Sequence, residues 1–400
     1  MNKSGCVRLF ILFGLLAGII FILIRCISNN EIKLQSEIDR ISARWVPDKR
    51  VGICNIKLKY REKGKLIITG ESTIPQAKID IIKTLDKQIK LLTDSIIILP
   101  DTIENRKYMG LVTLSVINLR REPDHASELV SQARLGTPVL ILKNNNSWML
   151  VQTPDNYISW TEASSVKQMT RIEILEWQKA ARVIYMDNTG WLYSSASDNS
   201  GVVGDLVGGS IMEKTGELNG FVSVVLPDGR KGYVEKKKVM DFNSWKSTVP
   251  CTNESICKTA LTFTGLPYLW GGSSAKAVDC SGFVQSVYFM NGLILQRDAS
   301  LQALHGSEVD ISVDYSRLKK GDLLFFGSQK DGKSRVTHVA IYMGGNNDYI
   351  NASSRVMINS LDSAQSNYNG PRKKALLMAK RIIGVENDLG IVPVNKHPWY

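Results

Sequence analysis

The chain has 400 residues, of which 44% are apolar and 22% are charged; this balance is typical of a folded globular protein and excludes wholesale disorder or a fibrous repeat. The length allows roughly two to four domains, and a single long apolar run excludes a polytopic membrane protein. Lys and Arg outnumber Asp and Glu by 50 to 38, which gives a net charge of +12. This basic excess suits an anionic surrounding, such as a membrane surface or a cell-wall polymer, but it is too diffuse to indicate nucleic acid.

The N-terminal segment is a candidate export signal or membrane anchor. Basic residues precede an uncharged run over residues 9–24, which Arg25 closes. A positive flank followed by an apolar core is typical of both kinds of segment. The core is long for a cleaved signal and slightly short for a spanning helix, and Arg25 before Cys26 does not fit a lipid-attachment motif. We therefore expect residues 1–26 to export the chain to the cell envelope, either as a signal sequence or as an anchor.

Residues 27–105 have the pattern of a small α/β unit. Alternation of apolar and polar residues predicts strands at 53–60 and 65–69. A helix-start signal precedes Pro75 and is followed by apolar residues at helical spacing. A third strand is expected at 95–99. No residue type here indicates catalysis, so we expect a spacer or docking unit.

The next part of the chain is rich in predicted strands and contains an internal repeat. The turns Pro154-Asp-Asn156 and Pro227-Asp-Gly229 each lie between two alternating stretches, as in β-hairpins. Many short strands separated by turns predict two small β-barrels, one over 106–168 and one over 180–242. Barrels of this kind resemble bacterial SH3-like modules, which commonly attach to cell-wall peptides.

The pattern changes to helices followed by strands from residue 243 onward. This order predicts an α+β domain over 243–385, followed by a tail over 386–400. The expected helices cover residues 254–263 and 280–290, and the expected strands cover residues 323–326, 336–343 and 349–352.

Residues suited to nucleophilic catalysis lie in this last domain. Cys280 lies in Asp279-Cys-Ser-Gly282, a turn that becomes a helix, where the helix dipole favours a thiolate. His338 lies in a predicted strand, and Asn351 lies in the next one, where a polar group could orient the imidazole. Spacing alone leaves open the commoner alternative, an inert buried cysteine and a structural histidine.

The other cysteines give weaker signals. The chain has six cysteines and no CxxC pair, so no structural zinc site is predicted. Cys251 and Cys257 either form a disulfide in an oxidising compartment or lie on one face of a helix start. The sequence leaves both possibilities open.

Five motifs stand out between residues 250 and 385. They are Pro267-Tyr-Leu-Trp-Gly-Gly272, Asp279-Cys-Ser-Gly282, Arg297-Asp-Ala-Ser300, Leu318-Lys-Lys-Gly-Asp-Leu-Leu-Phe-Phe326 and Thr337-His-Val-Ala-Ile-Tyr342. Together they resemble the NlpC-type family of papain-like cell-wall cysteine peptidases. With the preceding SH3-like barrels, the chain is similar to the γ-D-glutamyl-L-diamino acid endopeptidases of that family. The resemblance implies a multidomain protein whose α+β papain-like catalytic domain follows two SH3-like barrels and the small α/β unit.

The resemblance also implies roles for individual residues. Cys280 matches the nucleophile and His338 the general base. Asn351 falls where many members have a second histidine, which is a departure from the family pattern. The family mechanism needs no metal or organic cofactor.

Further residues are expected to bind substrate or stabilise the oxyanion. Tyr268 matches a tyrosine near the oxyanion and the substrate amine, and Ser281 is placed in the same group. Asp279 matches an acid that helps to bind the α-ammonium of the stem peptide, and Trp270 would line that pocket. From the first barrel, Glu128 is the candidate acid and Tyr157 the candidate tyrosine, both completing the pocket.

The resemblance therefore predicts a cysteine peptidase that cuts the bond between γ-D-glutamate and a diamino acid in peptidoglycan stem peptides with a free N-terminal L-alanine. The alternative is a non-catalytic cell-wall-binding protein with a degenerate peptidase domain. Amidase or acyltransferase chemistry on another substrate is a further alternative. The sequence does not determine which diamino acid is preferred.

Overall fold

The computed structural model describes residues 31–60, 66–87, 92–101 and 107–400. The predicted signal or anchor over residues 1–26 lies outside these ranges. In the described part of the chain, no helix is both long enough and apolar enough to cross a membrane. The chain divides into two compact units, Met1–Asp101 and Thr102–Tyr400.

The first unit contains the predicted strands and helix. Among its described residues, β1 pairs antiparallel with β2, and β3 pairs parallel with β2. The connecting helix α2 starts at Pro75 as expected, whereas β3 starts at Leu92, earlier than predicted. Ile68 and Ile81 are fully buried between sheet and helices. The elements are α1 (31–45), β1 (Cys54–Tyr60), β2 (Leu66–Ser72), α2 (Pro75–Asp86) and β3 (Leu92–Ile98).

The second unit begins with two antiparallel sheets of seven strands each, both within the continuously described range 107–400. The strands of the first sheet are β4 (Met109–Val112), β5 (Val116–Arg120), β6 (Leu129–Arg134), β7 (Pro138–Asn145), β8 (Trp148–Gln152), β9 (Ile158–Glu162) and β10 (Val166–Met169). The strands of the second sheet are β11 (Arg182–Tyr185), β12 (Thr189–Tyr193), β13 (Val202–Val207), β14 (Ile211–Leu218), β15 (Phe221–Val225), β16 (Lys231–Glu235) and β17 (Val239–Asp241).

The two sheets have the same strand order. The first runs β10-β4-β7-β8-β9-β5-β6, and the second, read from its other edge, runs β17-β11-β14-β15-β16-β12-β13. Each strand of one sheet therefore has a counterpart in the other, which agrees with the internal repeat seen in the sequence. Helix α3 (Arg171–Lys179) connects them and begins with a capping box between Thr170 and Glu173.

The rest of the second unit is an α+β region, as predicted. Its third sheet has six antiparallel strands in the order β21-β26-β22-β23-β24-β25. The helices are α4 (Phe242–Thr248), α5 (Asn253–Thr262), α6 (Cys280–Met290), α7 (Ala299–Gln302) and α8 (Gly370–Lys374). The strands are β18 (Ser273–Ser274), β19 (Ala277–Val278), β20 (Leu293–Leu295), β21 (Ser307–Val309), β22 (Leu323–Lys330), β23 (Lys333–Gly344), β24 (Asp348–Ala352), β25 (Val356–Ser360), β26 (Leu376–Arg381) and β27 (Ile391–Pro393).

The third sheet buries apolar side chains on both faces. Helix α6 covers one face, where Phe283 and Val287 pack with Val339 and Ile341. The alternate residues of the same strands point to the other face, where Phe326 packs in a separate core. His338 pairs with Phe326 across strands β22 and β23 and belongs to this second face.

The final residues of the chain belong to the core. Strand β27 pairs with β20, and Tyr400 is buried against Phe242 and Phe289. The same cluster contains Met109 of the first sheet and Ile211 of the second. The tail therefore packs where the first sheet, the second sheet and helix α6 meet.

Candidate active site

Cys280 is the first residue of helix α6. The side chain of Asp279 caps this helix by accepting a hydrogen bond from the backbone N–H of Gly282 at 2.7 Å. A Cβ atom at position 282 would lie 2.1 Å from the carbonyl oxygen of Gly272. Glycine is therefore required there, because the first helical turn rests directly on the preceding loop. The Cys280 side chain is buried at this junction.

The thiol of Cys280 is protonated in the free site. Burial raises the pKa of this thiol to about 11, and the nearby Asp279 carboxylate adds to the effect. The backbone N–H groups of Val339 and Ser281 favour the thiolate but do not compensate for burial. The helix start therefore favours the thiolate, as the sequence predicts, but desolvation has the larger effect on the pKa in the unliganded site.

The thiol and the histidine come together through strand β23. The Val339 N–H that acts on the Cys280 sulfur belongs to the residue directly after His338. The His338 imidazole Nε2 lies 2.9 Å from Asn351 Oδ1 on the neighbouring strand β24. The three predicted catalytic residues, Cys280, His338 and Asn351, therefore lie in one region of the fold.

The partners of Asn351 determine the tautomer of His338. The Asn351 amide nitrogen donates to Asn359 Oδ1 at 3.0 Å and to the Met357 carbonyl at 3.2 Å. Its Oδ1 atom is consequently turned toward the imidazole, which must donate from Nε2. Nδ1 is then left with a lone pair that can accept a proton. Sequence reasoning missed Asn359; its only signal was an amide that follows three apolar residues of a strand.

The imidazole is neutral at neutral pH. Burial lowers the pKa of His338 to about 4, and the positive charge of Arg372 lowers it further, while the hydrogen bond to Asn351 opposes the change. Burial therefore favours the neutral form of both Cys280 and His338 in the free site. A proton can pass from the thiol to the imidazole without net uptake from solvent.

Asp279 is bound to a buried arginine. Arg297 is fully buried and donates to both carboxylate oxygens of Asp279, at 2.7 and 3.1 Å. The backbone N–H of Gly271 also donates to Asp279, at 3.0 Å. The carboxylate thus holds the helix start and the preceding loop together. Its expected contact with a substrate amine stays a prediction.

Arg297 also ties the site to the first sheet. Its Nε donates to the hydroxyl of Ser131 on β6 at 2.9 Å, and its Nη1 donates to the Ser281 hydroxyl at 3.1 Å. Burial lowers the pKa of Arg297, but the Asp279 carboxylate outweighs burial, so the pKa is raised overall. Tyr157, in the connection between β8 and β9, is buried near this guanidinium and acts on it in the same direction.

Two further predicted residues meet at the surface. The Trp270 ring is 62% exposed, and its indole N–H donates to Glu128 Oε1 at 2.8 Å. Glu128 precedes β6 and also pairs with Arg121 at 2.7 Å. Tyr268 lies deeper in the site: burial raises its pKa to about 12, and the neighbouring Cys280 and Asp279 add to the shift.

The remaining cysteines of the described region are not bridged. Cys251 and Cys257 are both free thiols, and burial raises the pKa of each, that of Cys251 to about 11. The disulfide considered from the sequence is therefore absent from this structure.

A buried thiol at a helix start, contacted by the strand that carries an oriented histidine, is the arrangement of a cysteine hydrolase. Comparison with known proteins gives the same class. Residues 265–374 match the model of the NlpC/P60 family. Residues 119–166 match the model of the bacterial dipeptidyl-peptidase SH3 domain.

Individual relatives extend the match to more than half of the chain. Dipeptidyl-peptidase 6 of Lysinibacillus sphaericus is 31% identical over 65% of this chain and 94% of its own length. A gamma-D-glutamyl-L-lysine dipeptidyl-peptidase of Bacillus cereus is 29% identical over 56% of this chain and 67% of its own length. A crystal structure of an NlpC/P60 family protein from Bacillus cereus shares the fold, with a TM-score of 0.59 and 23% identity over 68% of this chain and 99% of that one.

The chain belongs to the NlpC/P60 family, and the resemblance inferred from its motifs is confirmed. It is a hydrolase, a cysteine peptidase of the kind that acts on the cell wall, with a bacterial SH3 domain before the catalytic domain.

Proposed function

We propose that the protein hydrolyses the bond between γ-D-glutamate and a diamino acid in peptidoglycan stem peptides, with Cys280 as nucleophile. The observation that carries the proposal is the oriented chain from Asn359 through Asn351 to His338, which leaves Nδ1 able to accept a proton, on the strand whose next residue, Val339, donates to the Cys280 sulfur. The names of relatives in Bacillus cereus and Bacillus subtilis, gamma-D-glutamyl-L-lysine dipeptidyl-peptidases, support the choice of bond.

The reaction begins with proton transfer from Cys280 to His338 Nδ1. The thiolate attacks the γ-carbonyl carbon, and the backbone N–H of Cys280, assisted by the Tyr268 hydroxyl, stabilises the oxyanion. The imidazolium then gives its proton to the departing amine of the diamino acid, leaving a thioester on Cys280. His338 next removes a proton from water, which attacks the thioester and releases L-alanyl-D-glutamate.

Recognition of a free N-terminal amine is assigned to the edge formed by Glu128 and Trp270. A partly exposed carboxylate held by an indole N–H offers a negative charge to an ammonium group. Asp279 and Tyr157 are proposed to complete this amine site. On this proposal, stem peptides whose L-alanine amine is free are better substrates than stems still attached to glycan.

The wider organisation of the chain is part of the proposal. Both seven-stranded sheets are interpreted as SH3-like barrels, over 106–168 and 180–242, followed by a peptidase domain over 243–385. The unit over 27–105 serves as a spacer or docking unit. Residues 1–26 export the protein to the envelope and anchor it or are removed there.

Mass spectrometry of L-Ala-γ-D-Glu-diaminopimelate incubated with the full chain and with its Cys280→Ala variant tests the proposal. Release of L-Ala-D-Glu by the unmodified protein alone is expected, because removal of a nucleophile lowers turnover by about 10⁴-fold or more. Equal release by the variant would refute the role of Cys280. No release from this peptide or from whole sacculi would instead support the non-catalytic wall-binding alternative.

A further inference from the structure

Arg372, on the short helix α8, lies one aromatic ring away from the imidazole of the active site. Its guanidinium carbon is 5.6 Å from the centre of the Phe326 ring, and that ring is 5.8 Å from the His338 ring. All three side chains are on the face of the third sheet opposite helix α6. The position is therefore close to the reacting groups, although no motif in the sequence singles it out.

The guanidinium has no anionic partner in the part of the chain that the structure describes. Arg297 and Arg381 of the catalytic region, by contrast, are paired with Asp279 and with Asp322, each through two hydrogen bonds. Arg372 is half-buried, and no carboxylate lies within ion-pair distance of it in residues 107–400. A partly desolvated cation of this kind gains from an anionic ligand that supplies the missing counter-ion.

A second polar group lies unpaired beside it. Tyr349 is fully buried on the same face, and its hydroxyl has no hydrogen-bond partner among the described residues. Burial raises the pKa of Tyr349 to about 12, against the opposing charge of Arg372. The hydroxyl and the guanidinium are both hydrogen-bond donors, so together they favour an acceptor with negative charge.

Arg372 and the Glu128–Trp270 edge lie on opposite sides of the strand that carries His338. The loop with Tyr268 and Trp270 is attached to the β24–β25 turn, where Tyr268 N–H donates to the Ser354 carbonyl. Helix α8 leads instead into β26, beyond β22 on the other side of β23. If the substrate amine is at the Glu128 edge, the leaving group is at the Arg372 end.

We propose that Arg372 binds the carboxylate of the leaving diamino acid. This inference rests on the proposed function, because it takes the bond and the direction of the substrate from it. The diamino acid carries its α-carboxylate one carbon away from the amine that His338 must protonate. A substrate anchored at both ends would hold the scissile carbonyl at Cys280.

Carboxylate binding would also assist proton transfer. In the free site the charge of Arg372 opposes protonation of His338. A bound carboxylate neutralises this charge at the step in which the imidazolium must form. The leaving group would thereby help to create the acid that expels it.

The test compares three peptides as substrates of the purified protein at fixed ionic strength. The first is L-Ala-γ-D-Glu-L-Lys with a free carboxylate, the second its C-terminal carboxamide, and the third its D-isoglutamine analogue. We expect the unmodified full chain to prefer the free carboxylate over the carboxamide in kcat/KM by about ten- to a hundredfold, the range of one charge-assisted contact. Arg372→Gln should bring that ratio close to one, and Arg372→Lys should retain part of it.

The matched control is Lys374→Gln, which removes an exposed charge from the same helix and should leave the ratio unchanged. A general electrostatic role for Arg372 would change kcat/KM for both peptides equally and overturn the proposal. Loss of discrimination only against the D-isoglutamine peptide would assign Arg372 to the glutamate carboxylate instead, which also overturns it. Failure of the unmodified protein to cut any of the three peptides would refute the proposed function itself, which is a separate outcome. A denaturant midpoint equal to that of the unmodified protein confirms that each variant is folded.

Discussion

The first and second sheets have the same strand order but different relations to the active site. In the first sheet, the β5–β6 hairpin faces the catalytic region: Arg134 donates to the Ser286 hydroxyl of helix α6 at 2.6 Å, and Ser131 accepts from Arg297. In the second sheet, the corresponding β12–β13 hairpin leaves Trp191 and Val202 more than half exposed. The repeat thus has one copy that helps to build the site and one that does not.

The second sheet reaches the catalytic region through more exposed contacts. Asp205 pairs with Lys276, with side chains that are 39% and 48% exposed, and Asn188 donates to the Thr262 carbonyl. Exposed pairs of this kind contribute little to stability. The comparison shows that the same strand order does not give both sheets the same role. Polar side chains of the β5–β6 hairpin, Ser131 and Arg134, connect the first sheet to the active site.

The largest expected difference is in stability. Arg297→Met removes the buried link between the first sheet, Asp279 and helix α6, and should lower the free energy of unfolding by about 3–5 kcal/mol, because a buried carboxylate loses its partner. Lys236→Met breaks the exposed pair with Glu217 in the second sheet and should change it by less than about 1 kcal/mol. Denaturant titration of both variants measures these changes in the free energy of unfolding. Similar losses in the two variants would contradict the proposed difference between the sheets.

A smaller difference is expected in substrate recognition. Glu128→Gln removes the negative charge at the proposed amine site and should lower kcat/KM for a peptide with a free N-terminus by about ten- to a hundredfold, with little change for its N-acetyl form. Asp198→Asn, in the matching hairpin of the second sheet, should leave both peptides unaffected. A loss that is the same with and without the acetyl group would argue against amine recognition by Glu128.

The smallest effects are opposite pH dependences of stability. Burial raises the pKa of Asp155, in the turn between β8 and β9, so its ionisation disfavours the folded state as pH rises through the raised value. Hydrogen bonds from Lys214 and Lys236 lower the pKa of Glu217 in the second sheet to about 2, so its stabilising effect is lost as pH falls from about 4.5 toward 2.

Relative to the unmodified chain, Asp155→Asn should therefore gain thermal stability as pH rises from 3 to 7, whereas Glu217→Gln should lose it. Melting temperatures across this range measure the two slopes, since any constant effect of the amides cancels. Slopes of the same sign in both variants would mean that the environments of the two sheets do not differ as described.

Local patterns in the sequence were sufficient for the elements of the site. The turn at Asp279 predicted a helix that begins at Cys280, and apolar alternation predicted the strands that carry His338 and Asn351; these elements lie where expected. Helix caps and strand alternation depend on neighbouring residues, which is why they can be read from the chain. The motifs also identified the family, which the comparisons confirm.

Contacts between distant segments and the effects of burial were decided only by the tertiary structure. Nothing local to Arg297 indicates that it reaches Ser131, and nothing local to Arg372 places it beside Phe326 and the active-site imidazole. The protonation of the Cys280 thiol likewise follows from packing, because desolvation depends on everything that surrounds the sulfur. The sequence by itself determined which residues could carry the chemistry; the folded arrangement determined their neighbours, their charges and the two ends of the site.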